Sequence, residues 1–248
     1  MAPPFWLWIP LTVWGAFAQT LRNAAQRSLV AKAGTLGATL VRFLYGFPFA
    51  AAYCWSLAAF THTPIPDITP GFIAWVLFGG ICQIMATALL LRVMEERNFT
   101  LGVAYSKTEV IQVAVFGAVF LGDPITPLSV LAIVLATVGV LLLSPVDRQR
   151  PLASFLTGWT SRTAVLGFIS GAGFGLAATA YRGASLTLET GTDFVMAAAY
   201  TLVWSQFTQS LQLGGWLLWR NPQALVVVIR ECRRSLLAGV MGAAASGG

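Results

Sequence analysis

The chain has 248 residues, 57% of them hydrophobic and only 10% charged, with a formal net charge of +6. Soluble domains run at roughly 45–50% apolar and about 25% charged, so this excess is too large for one buried core and is that of a polytopic membrane protein. The 15 basic residues fall in short clusters between apolar runs, which excludes a nucleic-acid partner, and three scattered cysteines without CxxC spacing imply neither a disulfide framework nor a zinc site.

Met1-Ala2-Pro3-Pro4 brings no basic n-region, and the first apolar run lacks a small-residue cleavage site, so that run reads as a retained membrane helix. Eight apolar runs follow one another at 5–29, 35–60, 71–94, 99–121, 127–144, 163–186, 193–219 and 236 onward. A spanning helix needs about 20 apolar residues, and all but the last run reach or approach that length. The eighth is too short to cross, and an end at Gly247-Gly248 in mid-helix reads as a fragment boundary. His62, in the Thr/Pro-rich connector after the second run, reads as a loop histidine and not a metal ligand.

The odd-numbered connectors carry Arg22, Arg27, Lys32, Arg92, Arg97, Arg148, Arg150, Arg162, Arg220, Arg230, Arg233 and Arg234. The even-numbered ones carry Arg182 beside Asp67, Asp123, Glu189 and Asp193. The positive-inside rule makes the odd connectors cytoplasmic and puts the N-terminus outside. A weak repeat is also present. Trp14-Gly15-Ala16-Phe17 with Ala25-Gln26-Arg27 resembles Gly171-Ala172-Gly173-Phe174 with Ala180-Tyr181-Arg182, and Leu77-Phe78-Gly79-Gly80 resembles Leu237-Ala238-Gly239-Val240. An odd number of helices per unit inverts the second copy, and the charges of corresponding connectors reverse accordingly. The expected fold is all-α, a polytopic membrane helix bundle of two inverted five-helix repeats, ten helices in full and about eight in this chain. Residues 1–145 form the first repeat and 146–248 the second, incomplete at its C-terminal end.

Positions i, i+3, i+4 and i+7 share one face of a helix. Tyr105, Thr108, Glu109 and Gln112 follow that spacing in the fourth run, Gln19, Arg22, Asn23 and Gln26 in the first, and Ser205, Thr208, Gln209 and Gln212 in the seventh. One such stripe is ordinary interhelical hydrogen bonding; three of them point to a shared hydrated cavity, a substrate pathway. A lysine or glutamate in mid-span costs about 2.5–3.5 kcal/mol on insertion scales, which singles out Lys107 and Glu109. Glu109 suits either a proton-coupling carboxylate or an ion pair with Arg22 that a substrate must break. Lys107 lies about 200° around the helix from Glu109, so it either snorkels or meets a partner on another helix. The surplus of deep cations favours an anionic substrate.

Gly171-Ala172-Gly173-Phe174-Gly175 imitates a dinucleotide-binding fingerprint, with Glu189 and Asp193 about 20 residues on. The apolar run continues to membrane length, however, and Gly167, Gly171, Gly175 and Gly183 share a four-residue period with Thr179 between them, which describes a ridge for close helix packing. Trp216 and Trp219 read as interfacial belt residues, and Trp204 lies beside a polar stripe where it could stack on a ligand.

Ala104-Tyr105-Ser106-Lys107-Thr108-Glu109, Phe116-Gly117-Ala118, Leu121-Gly122-Asp123-Pro124 and 133–140 together resemble the end of an EamA-type repeat of the drug/metabolite transporter superfamily. Trp14-Gly15 and Val41-Arg42-Phe43-Leu44 also resemble its pattern. The resemblance implies ten helices in two inverted repeats that move small metabolites by alternating access, often outward. The expected function is a secondary transporter, a permease or exporter and not an enzyme, for a small polar metabolite that is amino-acid-like or anionic. The alternatives are a non-transporting membrane scaffold or a membrane-embedded enzyme acting on lipid. No cofactor or metal is expected. The expected partners are a small-molecule substrate and the lipid bilayer, with homodimer formation left open, and the expected location is the bacterial inner (cytoplasmic) membrane.

Overall fold

The computed structural model describes residues 8–96, 106, 108–143, 162–188 and 193–230, and all regular structure among them is helical. The elements are α1 (Trp8–Thr61), α2 (Pro70–Glu96), α3 (Glu109–Phe116, continued by a π-helical turn Gly117–Leu121), α4 (Pro127–Leu143), α5 (Arg162–Leu188), α6 (Phe194–Arg220) and α7 (Pro222–Arg230). Among the described residues, three segments are long and apolar enough to cross a membrane: Val13–Thr61, Pro70–Glu95 and Arg162–Leu188. Two shorter apolar helices, Glu109–Leu121 and Pro127–Gly139, accompany them. The eighth apolar run, from 236, lies outside the described residues, as do Tyr105 and Lys107.

The first two expected runs form one helical element with a break at Gly34, whose φ of 69° and ψ of 170° lie where only glycine is comfortable. Gln26 bridges this break, its Nε2 donating to the Ala38 carbonyl at 3.2 Å. A Cβ at Gly34 would meet nothing within 4 Å, so any cost of substitution there is backbone strain alone. Gly34→Ala is expected to destabilise the protein by about 1–3 kcal/mol, read as a lower thermal midpoint in detergent. Further along, Pro48 sits inside the second arm of α1, where it removes one backbone donor; membrane helices tolerate this when neighbours satisfy the freed carbonyl.

The last element corrects the sequence reading. The stretch after Trp219, expected to be a basic connector, holds a nine-residue helix. Asn221 and Pro222 start it: the Ala224 amide donates to Asn221 Oδ1 at 3.3 Å, and proline occupies a position that needs no donor. Ala224 and Val228, one turn apart, are its buried side chains, and Arg230 lies in its last turn, where a cation favours the helix dipole. At about 1.5 Å per residue the helix is far too short to span.

The described chain divides into two compact units. The first comprises Met1–Leu77 and Ala184–Gly248, the second Phe78–Gly183, so the divisions fall inside α2 and α5. In the first unit the second arm of α1 packs on α6 and α7. Gly46 faces the Gln206 carboxamide, Phe47 meets Phe207 at 5.7 Å between centroids, and Gly37 leaves room for Val228 and Ala224. The Tyr45 hydroxyl donates to the Val228 carbonyl at 3.2 Å. Phe72 and Val76 of α2 close a core with Ala184, Leu188 and Ala197, flanked by Trp75, Tyr200 and Trp204.

In the second unit the glycines of α5 are the contact surface. A Cβ at Gly171 would lie 2.8 Å from Thr108 Oγ1 and 3.1 Å from both the Glu109 amide nitrogen and the Ser106 carbonyl oxygen. At Gly175 it would press on Phe116 and Gln112, and at Gly173 on Ala86 and the Cys82 carbonyl. Ser170 Oγ adds a hydrogen bond to the Ala86 carbonyl at 2.8 Å. Where the surrounding solvent is hydrocarbon, such close approach and the polar bonds it permits, more than water exclusion, hold helices together.

Candidate substrate pathway

The expected pathway residues fall in both units. Gln19, Arg22, Asn23, Gln26, Ser205, Thr208 and Gln209 belong to the first, and Thr108, Glu109 and Gln112 to the second.

On α1, Arg22, Asn23 and Gln26 are buried and Gln19 is half-buried. Arg22 is 4% exposed, and its Nη2 donates to Asn23 Oδ1 at 3.2 Å, which keeps the guanidinium along its own helix face. Asn23 thus orients a buried cation, while Gln26 is committed to the bridge across Gly34. A second buried cation, Arg42, stands on the other arm of α1 with its guanidinium 5.5 Å from the Phe43 ring centroid.

On α6, Ser205, Thr208 and Gln209 are all buried. Ser205 Oγ donates to the Leu202 carbonyl, and Thr208 Oγ1 to the carbonyls of Trp204 and Ser205. These hydroxyls spend their protons on their own helix and present only acceptor lone pairs to a neighbour. Gln212 Nε2 donates to the Leu77 carbonyl at 3.3 Å, a packing bond between α6 and α2. Trp204 is engaged by three aromatic rings, Phe72, Tyr200 and Phe207, at centroid distances of 6.4, 6.4 and 5.8 Å, with two of the three contacts nearly perpendicular. Its faces serve the core of the first unit. Trp216 and Trp219 are exposed, and Arg220 stands over both rings at 5.6 and 5.1 Å, the arrangement of an interfacial anchor.

Gln206, one position beyond the expected stripe, is the residue that the spacing missed. It is 2% exposed, and its Oε1 has no hydrogen-bond partner. Gly46 makes its seat: a Cβ there would lie 3.2 Å from Oε1 and 3.4 Å from Nε2. A buried unmatched acceptor costs about 1–3 kcal/mol, so Gln206→Leu should leave thermal stability unchanged or raise it. If this carboxamide meets the substrate, transport by the same variant should fall roughly twofold to tenfold, the worth of one hydrogen bond to a polar group. Thermal unfolding and flux measured on one preparation separate the two effects.

Just before α3, Thr108 is 1% exposed and Ser106 is buried, with the Thr108 hydroxyl and the Ser106 carbonyl both against Gly171. Glu109 and Gln112 are half-buried, and Gln112 Nε2 donates to the Phe168 carbonyl at 3.4 Å. The glycine period of α5 is therefore what positions the start of α3. Arg182, near the end of the expected sixth run, lies within α5 and forms an ion pair with Asp123, the acid that follows the π-helical turn.

A family model described as the EamA-like transporter family matches residues 6–144, more than half of the chain. No curated protein and no solved structure matches it.

Proposed function

The chain belongs to the EamA-like transporter family, and from that premise we propose that it moves a small polar metabolite, amino-acid-like or anionic, by alternating access. It is an integral membrane transporter of the drug/metabolite superfamily, whose members are transporters and not enzymes. The reading of two inverted five-helix repeats is supported by the reversal of connector charge between the halves of the sequence. The positive-inside bias of the connectors suits the bacterial inner membrane.

The observation that carries the substrate class is the polar load of α6. Its 27 residues include Ser205, Gln206, Thr208 and Gln209, all buried, and one of these keeps an unmatched acceptor. Buried polar groups without full partners are retained where function needs them. With the buried cations Arg22 and Arg42 they form a set of donors and acceptors suited to a hydrogen-bonding solute that bears a carboxylate or another anion. Glu109 is the coupling or gating carboxylate, and Tyr105, Lys107, Thr108 and Gln112 belong to the same pathway segment.

The direct test is an uptake and efflux screen of small amino-acid-like and anionic metabolites in membrane vesicles containing the protein. Saturable flux of one class, lost in Glu109→Gln, is the expected result. Flux of none above empty vesicles, with the protein present and folded, would sink the proposal and favour a scaffold.

A further inference from the structure

Within the second unit, α3, α4 and α5 border a cavity of about 480 Å³. Its wall is mostly aliphatic, with Val113, Ala114, Leu121, Ile133 and Ala178 among the lining residues. One end is charged, because Asp123 and Arg182 line the cavity and pair with each other there. The side chains of these two are 26% and 57% exposed respectively, so the pair is a rim feature and not a buried strut.

The turn that holds Asp123 is preorganised. The π-helical segment ends at Gly122, whose φ of 70° is left-handed, and the Asp123 amide donates to the Gly117 carbonyl at 3.2 Å. Gly117 has no side chain to stand in the way of the carboxylate, since a Cβ there would lie 2.7 Å from Asp123 Oδ2. A π-helical turn beside a cavity is a recurrent sign of a functional position.

Three properties decide the ligand. The volume is that of a small-molecule site, within the range of about 300–1,000 Å³. From Val113 to Leu121 the wall runs about 12 Å at 1.5 Å per residue, close to the roughly 15 Å hydrocarbon depth of one leaflet. The outward faces of α3 and α4 are exposed and apolar at Val119, Leu128, Leu131 and Leu135, the surface that meets acyl chains. A charge pair at the head of a slot one leaflet deep matches a zwitterionic amphiphile. We propose that this cavity binds a zwitterionic phospholipid of the ethanolamine type, with its phosphate on Arg182, its ammonium on Asp123 and an acyl chain along Val113, Ala114, Ile133 and Ala178.

The exposed Asp123–Arg182 pair contributes little on its own, so a headgroup that satisfies both charges replaces it at small cost. An anionic phospholipid satisfies Arg182 but meets the Asp123 carboxylate with like charge, which gives the site a preference between two headgroups of equal tail.

The full chain, purified in detergent, is incubated with equal amounts of phosphatidylethanolamine and phosphatidylglycerol of matched acyl chains, washed, and its retained lipid quantified by mass spectrometry. Phosphatidylethanolamine is expected in excess by roughly threefold to fivefold, the ratio an exposed charge contact supplies. Asp123→Asn should bring the ratio to unity or reverse it, and Arg182→Gln should reduce retention of both lipids. Ala178→Phe, at an exposed position of the wall, should lower retention with the charge pair intact. The double exchange Asp123→Arg with Arg182→Asp should keep the preference, because a zwitterion can bind in the opposite sense. Equal retention of both lipids by the unaltered protein, or undiminished retention in a monodisperse Ala178→Phe variant, would overturn the proposal.

Discussion

Gly171→Val is expected to cost about 3 kcal/mol of stability and to abolish transport. The first added atom is already the problem: a Cβ at this position lies 2.8 Å from Thr108 Oγ1 and 3.1 Å from the Glu109 nitrogen and the Ser106 oxygen. Two of these three neighbours are backbone, which cannot rotate away as a flexible side chain would. Overpacking of a close-packed interface costs about 1–3 kcal/mol, and a β-branched residue against fixed backbone belongs at the upper end. Relief can come only by moving α5 away from Ser106, Thr108 and Glu109, which displaces Glu109 together with its helix. The rescue is also graded. Thr108→Ala removes the nearest obstacle and leaves the two backbone contacts, so the double variant should recover part of the thermal midpoint and little of the flux. A Gly171→Val protein with an unchanged midpoint would mean that α5 does not approach the start of α3 in this way. The effect is measurable by thermal unfolding in detergent before any substrate is known.

Two of the expected spans were legible because apolar length is a coarse property that local chemistry does not disturb, whereas the run at 193–219 forms α6, which is not among the three segments apolar enough to cross. The runs expected at 71–94 and 163–186 became Pro70–Glu96 and Arg162–Leu188, differing only by residues at the ends. The features that escaped depend on three-dimensional neighbours. Gln206 lies 100° around α6 from Ser205, outside a stripe defined by i+3 and i+4 spacing, and becomes notable only when Gly46 is seen beneath it. The helix Pro222–Arg230 is shorter than any hydropathy window tuned to membranes can see, and its starting pair, Asn221-Pro222, was overshadowed by the arginines around it. Asp123 and Arg182 are far apart in sequence, so nothing local marks them as partners. The glycine period of α5, by contrast, was legible as packing, since regular small residues on one helix face have few other uses.

Glu109→Gln is the second large effect, and the two outcomes it separates are structural and mechanistic. The substitution preserves volume and hydrogen-bonding shape at a half-buried position in the first turn of α3. The part of its structural cost that comes from a carboxylate at a helix N-terminus is about 0.3–1 kcal/mol. Expression, monodispersity and thermal midpoint should therefore stay close to those of the unaltered protein. Flux should behave quite differently. A hydrogen bond to a charged group contributes about 1.5–3 kcal/mol, so loss of the charge should lower transport by roughly ten- to a hundredfold. If Glu109 couples a proton to substrate, the pH dependence of the remaining flux should flatten as well, because the titrating group is gone; if it forms an ion pair that substrate must break, the pH profile should persist at reduced amplitude. Transport by Glu109→Gln at the original rate and with the original pH dependence would remove this carboxylate from the mechanism. The buried polar residues of α6, with Arg22 and Arg42, would then be left as the remaining chemistry for substrate.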